Sequence, residues 1–130
     1  MTEDRYLEGR VAWVTGGASG IGRATAIALA RVGADIAIGS LLDIGTSDTL
    51  DNQDAHLPAE NDLEIAQEEI AALGVSVFAG PLDVCSVKSV QTFFADAVAA
   101  LNRIDILVNA AGTWARQEIT GHPDELWDRM

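Results

Sequence analysis

Hydrophobic and polar positions along this chain of 130 residues fall into two patterns that alternate from the start. One is a short unbroken apolar run; the other spaces apolar residues three and four apart. Val11-Ala-Trp-Val14 is the first run, and its halt at Thr15-Gly-Gly predicts a strand. From Gly20 to Val32, Ile21, Ala24, Ile27, Ala28 and Leu29 recur at helical spacing, and Gly33 stands where a helix-ending glycine belongs. Asp35-Ile-Ala-Ile-Gly-Ser40 predicts a second strand. Residues 41–61 then carry Asp, Gly, Ser, Thr, Asn and Pro without periodicity, too long for an ordinary connection, and are expected to be an inserted acidic loop. Asn61-Asp-Leu-Glu64 has the pattern of a capping box, opening a helix that runs to Leu73 and closes at Gly74. Val75-Ser-Val-Phe-Ala79 predicts a third strand. Ser86 can cap a helix whose Val87, Val90, Phe93, Ala97, Val98 and Leu101 share a face, Ile104-Asp-Ile-Leu-Val108 predicts a fourth strand, and a last helix starts at Pro123.

Strict alternation of strand and helix implies right-handed crossovers and a parallel α/β sheet, and the unbroken apolar strands suit a sheet covered on both faces. The doubly wound solution orders four strands 3-2-1-4 in a single unit over residues 1–130. Strands 1 and 4 are then neighbours at the switch point, and chemistry is expected at their C-terminal ends.

Composition narrows the partners. Against 8 Lys and Arg stand 20 Asp and Glu, a net charge of -12, so a nucleic-acid backbone or an anionic membrane is repelled. The single Cys85 forms no internal disulfide and belongs to no zinc-ligand cluster, and no metal site is expected. Cys85 itself reads as a small apolar filler. The opening residues lack the basic and apolar regions of a signal peptide, and no apolar run approaches the ~18 residues of a membrane span, so a cytoplasmic protein is expected.

The candidate chemistry lies between the first strand and helix, in Thr15-Gly16-Gly17-Ala18-Ser19-Gly20-Ile21-Gly22. Glycines let a pyrophosphate approach the backbone, and the following helix offers free N–H groups to the anion. A P-loop would need Lys and Ser or Thr after Gly22, where Arg23-Ala24 stand. The Gly-x-Gly-x-x-Gly fingerprint needs other offsets than Gly16-x-x-x-Gly20-x-Gly22. The Thr-Gly-x-x-x-Gly-x-Gly spacing resembles the cofactor turn of the classical short-chain dehydrogenases/reductases. Asp83-Val84 resembles that family's adenine-contacting pair, Asn109-Ala110-Ala111-Gly112 its Asn-Asn-Ala-Gly segment with Ala110 for the second Asn, and Glu125-Leu-Trp127-Asp the start of its next helix.

This resemblance implies a Rossmann-like fold and an NAD or NADP cofactor serving hydride transfer between nicotinamide and an alcohol or carbonyl. Gly16, Ala18, Ser19, Gly20, Ile21 and Gly22 would cradle the pyrophosphate, Ser40 and Leu41 would flank the adenosine ribose, and Asp83 and Val84 would meet the adenine. Asn109, Ala110, Ala111 and Gly112 would approach the nicotinamide ribose. Ser40 stands where NAD users often place an acid, and Leu41 and Ser19 where NADP users place a cation. Residues 32–87 hold eleven acids and neither Lys nor Arg, which favours NAD over a 2'-phosphate.

The family would also supply a Tyr-x-x-x-Lys pair for proton transfer, but the sequence has one tyrosine, Tyr6, and one lysine, Lys88. No catalytic residue is assigned. The chain resembles the first half of a short-chain dehydrogenase, incomplete at its C-terminus, with its fourth strand as a bare edge inviting self-association or a complementing second half. A non-catalytic nucleotide-binding or interaction module, and a decayed truncated gene product, are the competing readings. His56, His122 and the loop acids read as solvated, Trp13 as core, and Trp114 and Trp127 as residues a complete enzyme would cover.

Overall fold

The structure, a computed structural model, describes residues 4–42, 60–112 and 118–129. Four strands, β1 (Val11–Thr15), β2 (Asp35–Ser40), β3 (Val77–Pro81) and β4 (Ile106–Asn109), form one parallel sheet in the order β3-β2-β1-β4. Helices α1 (Gly20–Arg31), α2 (Glu60–Ala71) and α3 (Val87–Leu101) make the crossovers; a 3-10 turn (Ile119–Gly121) and α4 (Asp124–Arg129) follow. This is the doubly wound topology expected from the alternation.

Both faces of the sheet are covered, as the apolar strands require. On one face Ala12, Val14, Ile36 and Ile38 meet Ala26 and Ala30 of α1 and Leu63, Ala66 and Ile70 of α2. On the other, Val11, Trp13 and Ala37 meet Phe93, Ala97 and Leu101 of α3, with the Trp13 and Phe93 rings stacked 5.2 Å apart. The buried stripe of α1 is Gly22, Ala26 and Ala30, small residues at four-residue intervals that let the helix lie close to the sheet. Ile21, Ala24 and Ala28 from the expected apolar face are exposed instead. Val87 of α3 is likewise exposed.

Local chemistry sets the element ends. Gly33, at φ +103°, takes the left-handed position after α1. Ser86 Oγ accepts the Ser89 N–H at 3.2 Å and caps α3, as expected. Several boundaries differ from the sequence reading: β1 runs on through Thr15, β3 through Pro81 and β4 through Asn109, α1 ends at Arg31, α2 at Ala71, and α4 begins at Asp124. Asn61 lies inside α2, which already begins at Glu60, so it does not cap that helix. β3 starts at Val77, because Ser76 donates its N–H to Asp35 Oδ1 at 2.8 Å and the ladder begins only at Ile36 opposite Val77. β4 starts at Ile106, because Asp105 serves as a bracket: its Oδ2 accepts the Val11 N–H at 2.9 Å while Oδ1 binds Arg103. The Arg103 hydrogen bond, then the Val11 N–H, holds the Asp105 carboxyl below the usual carboxylate range. Most of the expected acidic loop, including His56, and also Trp114, lies outside the described residues. No described helix is long and apolar enough to cross a membrane.

Candidate functional site

Where the C-terminal ends of β1 and β4 lie side by side, the chain turns through the glycine segment. Gly16 has φ +67°, and a Cβ there would stand 2.9 Å from the backbone of Ala111, so the turn and the segment after β4 touch main chain to main chain. Gly22 is tighter still, with a Cβ falling 2.1 Å from the Gly16 carbonyl oxygen. Only glycine permits this fold of the turn onto the first turn of α1. Gly20, at φ +56°, faces open space at the helix start, with no atom within 4 Å of its would-be Cβ.

Two buried hydroxyls hold this arrangement. Thr15, the last residue of β1, accepts the N–H groups of Ala110 at 3.2 Å and Ala111 at 3.1 Å, and its hydroxyl reaches the Val108 carbonyl at 3.4 Å. It clamps the tip of β1 to the end of β4. Ser40, the last residue of β2, accepts the Ala18 N–H at 3.0 Å, while Gly16 and Gly17 donate to the Gly39 carbonyl. The turn is thus fixed from both neighbouring strands. Thr15 carries no role in the sequence reading beyond its place in the motif; a hydroxyl at a strand tip directly before the glycines is the signal that could have found it.

The electrostatics favour an anion here. Ser19 stands at the N-cap of α1 without a side-chain hydrogen bond to the helix, and the first turn of α1 contains no acid. The helix's opening N–H groups and the positive end of its dipole face the open space at Gly20. Ile21, 82% exposed, projects an apolar side chain at the same rim. Arg23, one residue past the glycines, turns away to a salt bridge with Glu69 of α2. That contact raises the Arg23 pKa and lowers that of Glu69.

At the far end of the crevice, Leu41 is exposed beyond β2. Asp83 follows β3, its N–H donating to Ser89 Oγ at 2.9 Å and its Oδ1 accepting the Cys85 N–H at 2.9 Å, with Val84 exposed beside it. Cys85 is exposed, so it fills no core space, contrary to the filler reading; the turn into α3 presents it to solvent. Asn109 and Gly112 are exposed at the end of β4. The fourteen residues of the sequence reading therefore sit at the C-terminal edge of the sheet, in the turns leaving it or in the first turn of α1, with Ala18 and Gly22 buried. Tyr6 lies at the opposite end, where Leu7 donates to the Val32 carbonyl, whereas Lys88 stands near Asp83. The two residues are at opposite ends of the strands. Among the described residues no group of three or more His, Cys, Asp or Glu could hold a metal.

The family model of short chain dehydrogenases matches residues 42–130. The chain belongs to the short chain dehydrogenase family. It is 35% identical over its whole length to a 2-dehydro-3-deoxy-D-gluconate 5-dehydrogenase of Pseudoalteromonas atlantica, covering 45% of that protein. It is 36% identical over 108 residues to an L-rhamnose 1-dehydrogenase (NAD(P)(+)) of Sphingomonas, covering 83% of this chain and 36% of that one. The crystal structure of carveol dehydrogenase from Mycobacterium avium in complex with NAD superimposes on 98% of the chain with a TM-score of 0.85 at 26% identity, covering 44% of the larger protein. The chain thus spans less than half the length of each of these three relatives. Its fold and its NAD(P)-binding class are those of the family.

Proposed function

We propose that this chain forms the dinucleotide-binding part of an NAD(P)-dependent oxidoreductase that moves hydride between nicotinamide and an alcohol or carbonyl. The observation that carries the reading is the glycine turn itself. It is packed against Ala111 at the switch point and clamped by Thr15 and Ser40, and it opens onto the bare N-terminus of α1. Gly16, Ala18, Ser19, Gly20, Ile21 and Gly22 take the pyrophosphate, with Gly20 leaving the space a Cβ would fill. Ser40 and Leu41 flank the adenosine ribose, Asp83 and Val84 the adenine, and Asn109 to Gly112 the nicotinamide ribose.

When bound, the cofactor supplies the hydride acceptor or donor. The chain's own residues bind it, orient it and hold β4 against β1. Ser40 is neutral and already accepts a backbone N–H, and Leu41 and Ser19 offer no cation to a 2'-phosphate, so NAD is preferred over NADP. Efficient turnover needs a proton donor within hydrogen-bond reach of the substrate oxygen, and Tyr6 and Lys88 stand too far apart to form such a pair. The proton-transfer group comes from the further sequence that full-length relatives carry. The exposed Phe94 of α3 and Leu107 of β4, the latter 53% exposed, favour self-association or a complementing second half on that face.

Titrating the purified chain with NADH and NADPH, while following Trp quenching and energy transfer to the reduced nicotinamide, tests the reading. Saturable binding, tighter for NADH and lost in Gly22→Ala, is the expected result. A chain that unfolds cooperatively yet binds neither overturns it.

A further inference from the structure

The first turn of α1 carries the three N–H groups that no carbonyl within the helix uses, those of Gly20, Ile21 and Gly22. Their aim depends on how firmly that turn is held, and its four residues offer little to hold it by. Gly20 and Gly22 have no side chain, and Ile21 is 82% exposed. The tight contact of Gly22 is with Gly16, inside the same glycine segment. Ile27 and Leu29 pack against the core only from the later turns of the helix, and the stripe facing the sheet is the smooth row of Gly22, Ala26 and Ala30. Among the described residues, Arg23 is therefore the one side chain of the first turn that fastens it to another element.

It does so with a fork. Arg23 Nε donates to Glu69 Oε2 at 3.3 Å while Nη2 donates to Glu69 Oε1, across 46 positions of the chain. Two N–H donors on one planar guanidinium fix direction as well as distance, which sets this contact apart from a single-point surface ion pair. Glu69 adjoins Ile70, and α2 is buried through Leu63, Ala66 and Ile70, so the carboxylate stands on the more firmly packed helix. Asp62, two turns earlier on α2, adds a second negative charge toward the guanidinium. The backbone N–H of Arg23 donates to the Ser19 carbonyl at 3.2 Å, the first helical bond of α1. The residue gripped by the fork is thus the one that closes the turn around the free N–H groups.

We infer that Arg23, held by Glu69, is a positioning residue for the pyrophosphate: the fork sets the aim of the N–H groups of Gly20, Ile21 and Gly22. For the identity of the anion this rests on the cofactor reading. Arg23 acts through the turn rather than as a phosphate ligand, because its guanidinium is turned to α2. A turn released from α2 tilts its donors off line, and hydrogen bonds weaken steeply with angle.

The test compares Arg23→Met, Glu69→Ala, the double variant and Arg23→Lys with the parent chain, by titration with NADH and with inorganic pyrophosphate and by thermal melting. Each of the first two variants weakens both ligands about three- to tenfold, the worth of one well-aimed hydrogen bond, and the double variant weakens them no further because one contact is lost in all three. Arg23→Lys, which keeps the charge but makes a single-point contact, falls between parent and Arg23→Met. If charge rather than aim governed binding, Glu69→Ala would tighten both ligands while Arg23→Met weakened them; such opposite signs overturn the proposal. A lowered melting temperature with both affinities unchanged reduces the fork to a structural contact and overturns it as well. Pyrophosphate binding that depends on the fork, without NADH binding, keeps this inference and removes the cofactor role. NADH binding indifferent to the fork removes this inference alone, and a parent chain that binds neither ligand removes both.

Discussion

Replacing Thr15 with valine keeps the β-branched shape and the buried methyl while removing one oxygen. That oxygen accepts two N–H groups, from Ala110 and Ala111, at 3.2 and 3.1 Å. Both hydrogen bonds are part-buried, so losing their shared acceptor costs about 1–3 kcal/mol in all. Each is slightly longer than the usual ~2.9–3.0 Å, which keeps the total near 2 kcal/mol rather than at the upper end. With a urea slope of about 1.5 kcal/mol/M for a chain of this size, the unfolding midpoint falls by roughly 1.3 M. Thr15→Ser keeps the acceptor and loses a methyl, for about 0.8 kcal/mol. Urea unfolding of the two variants beside the parent chain, with NADH affinity measured on each, is the assay. The expected order is parent, Ser, Val in stability, with NADH weakened more by Val than by Ser, because residues 109–112 lose their anchor. A valine variant as stable as the serine variant would refute the idea that this hydroxyl clamps β4 to β1.

Other perturbations probe the remaining contacts. Gly22→Ala places a Cβ 2.1 Å from the Gly16 carbonyl oxygen, forces the turn open and should cost about 3 kcal/mol or more, read as a lost or much-lowered thermal transition together with lost NADH binding. Ser40→Ala strands the buried Ala18 N–H for about 1–2 kcal/mol and should weaken NADH more than Leu41→Ala does, in parallel fluorescence titrations. Asp105 has a folded-state pKa below its ordinary 3.8, so its stabilising contribution is complete above that value and is lost as pH falls through the lower one; Asp105→Asn should flatten the acid limb of a stability-against-pH curve. Leu107→Glu should convert any self-association seen by light scattering into monomer while leaving NADH binding intact, because Leu107 points from the α3-facing side of β4, away from the pyrophosphate turn.

How far the sequence revealed this molecule depends on which physical quantity each pattern reports. Alternating apolar runs and helical spacings report burial, and burial gave the layers, the parallel sheet and the order 3-2-1-4 correctly. They do not report hydrogen-bond register. Val75 and Ile104 are partly buried and pack against the core from outside the ladder, so both edge strands begin two residues later than their apolar runs suggest. Within α1, apolarity was a poorer guide than size: the sheet accepts Gly22, Ala26 and Ala30, and the bulkier Ile21 is left at the crevice rim. The candidate site was legible as a glycine spacing because those glycines answer to steric demands that no other residue meets. Its two fasteners were not, because Thr15 and Ser40 look like ordinary polar strand ends until the fold brings Ala110, Ala111 and Ala18 to them. Motifs along the chain thus identify a site whose parts are contiguous, whereas a site built from partners on different strands becomes visible only through their register.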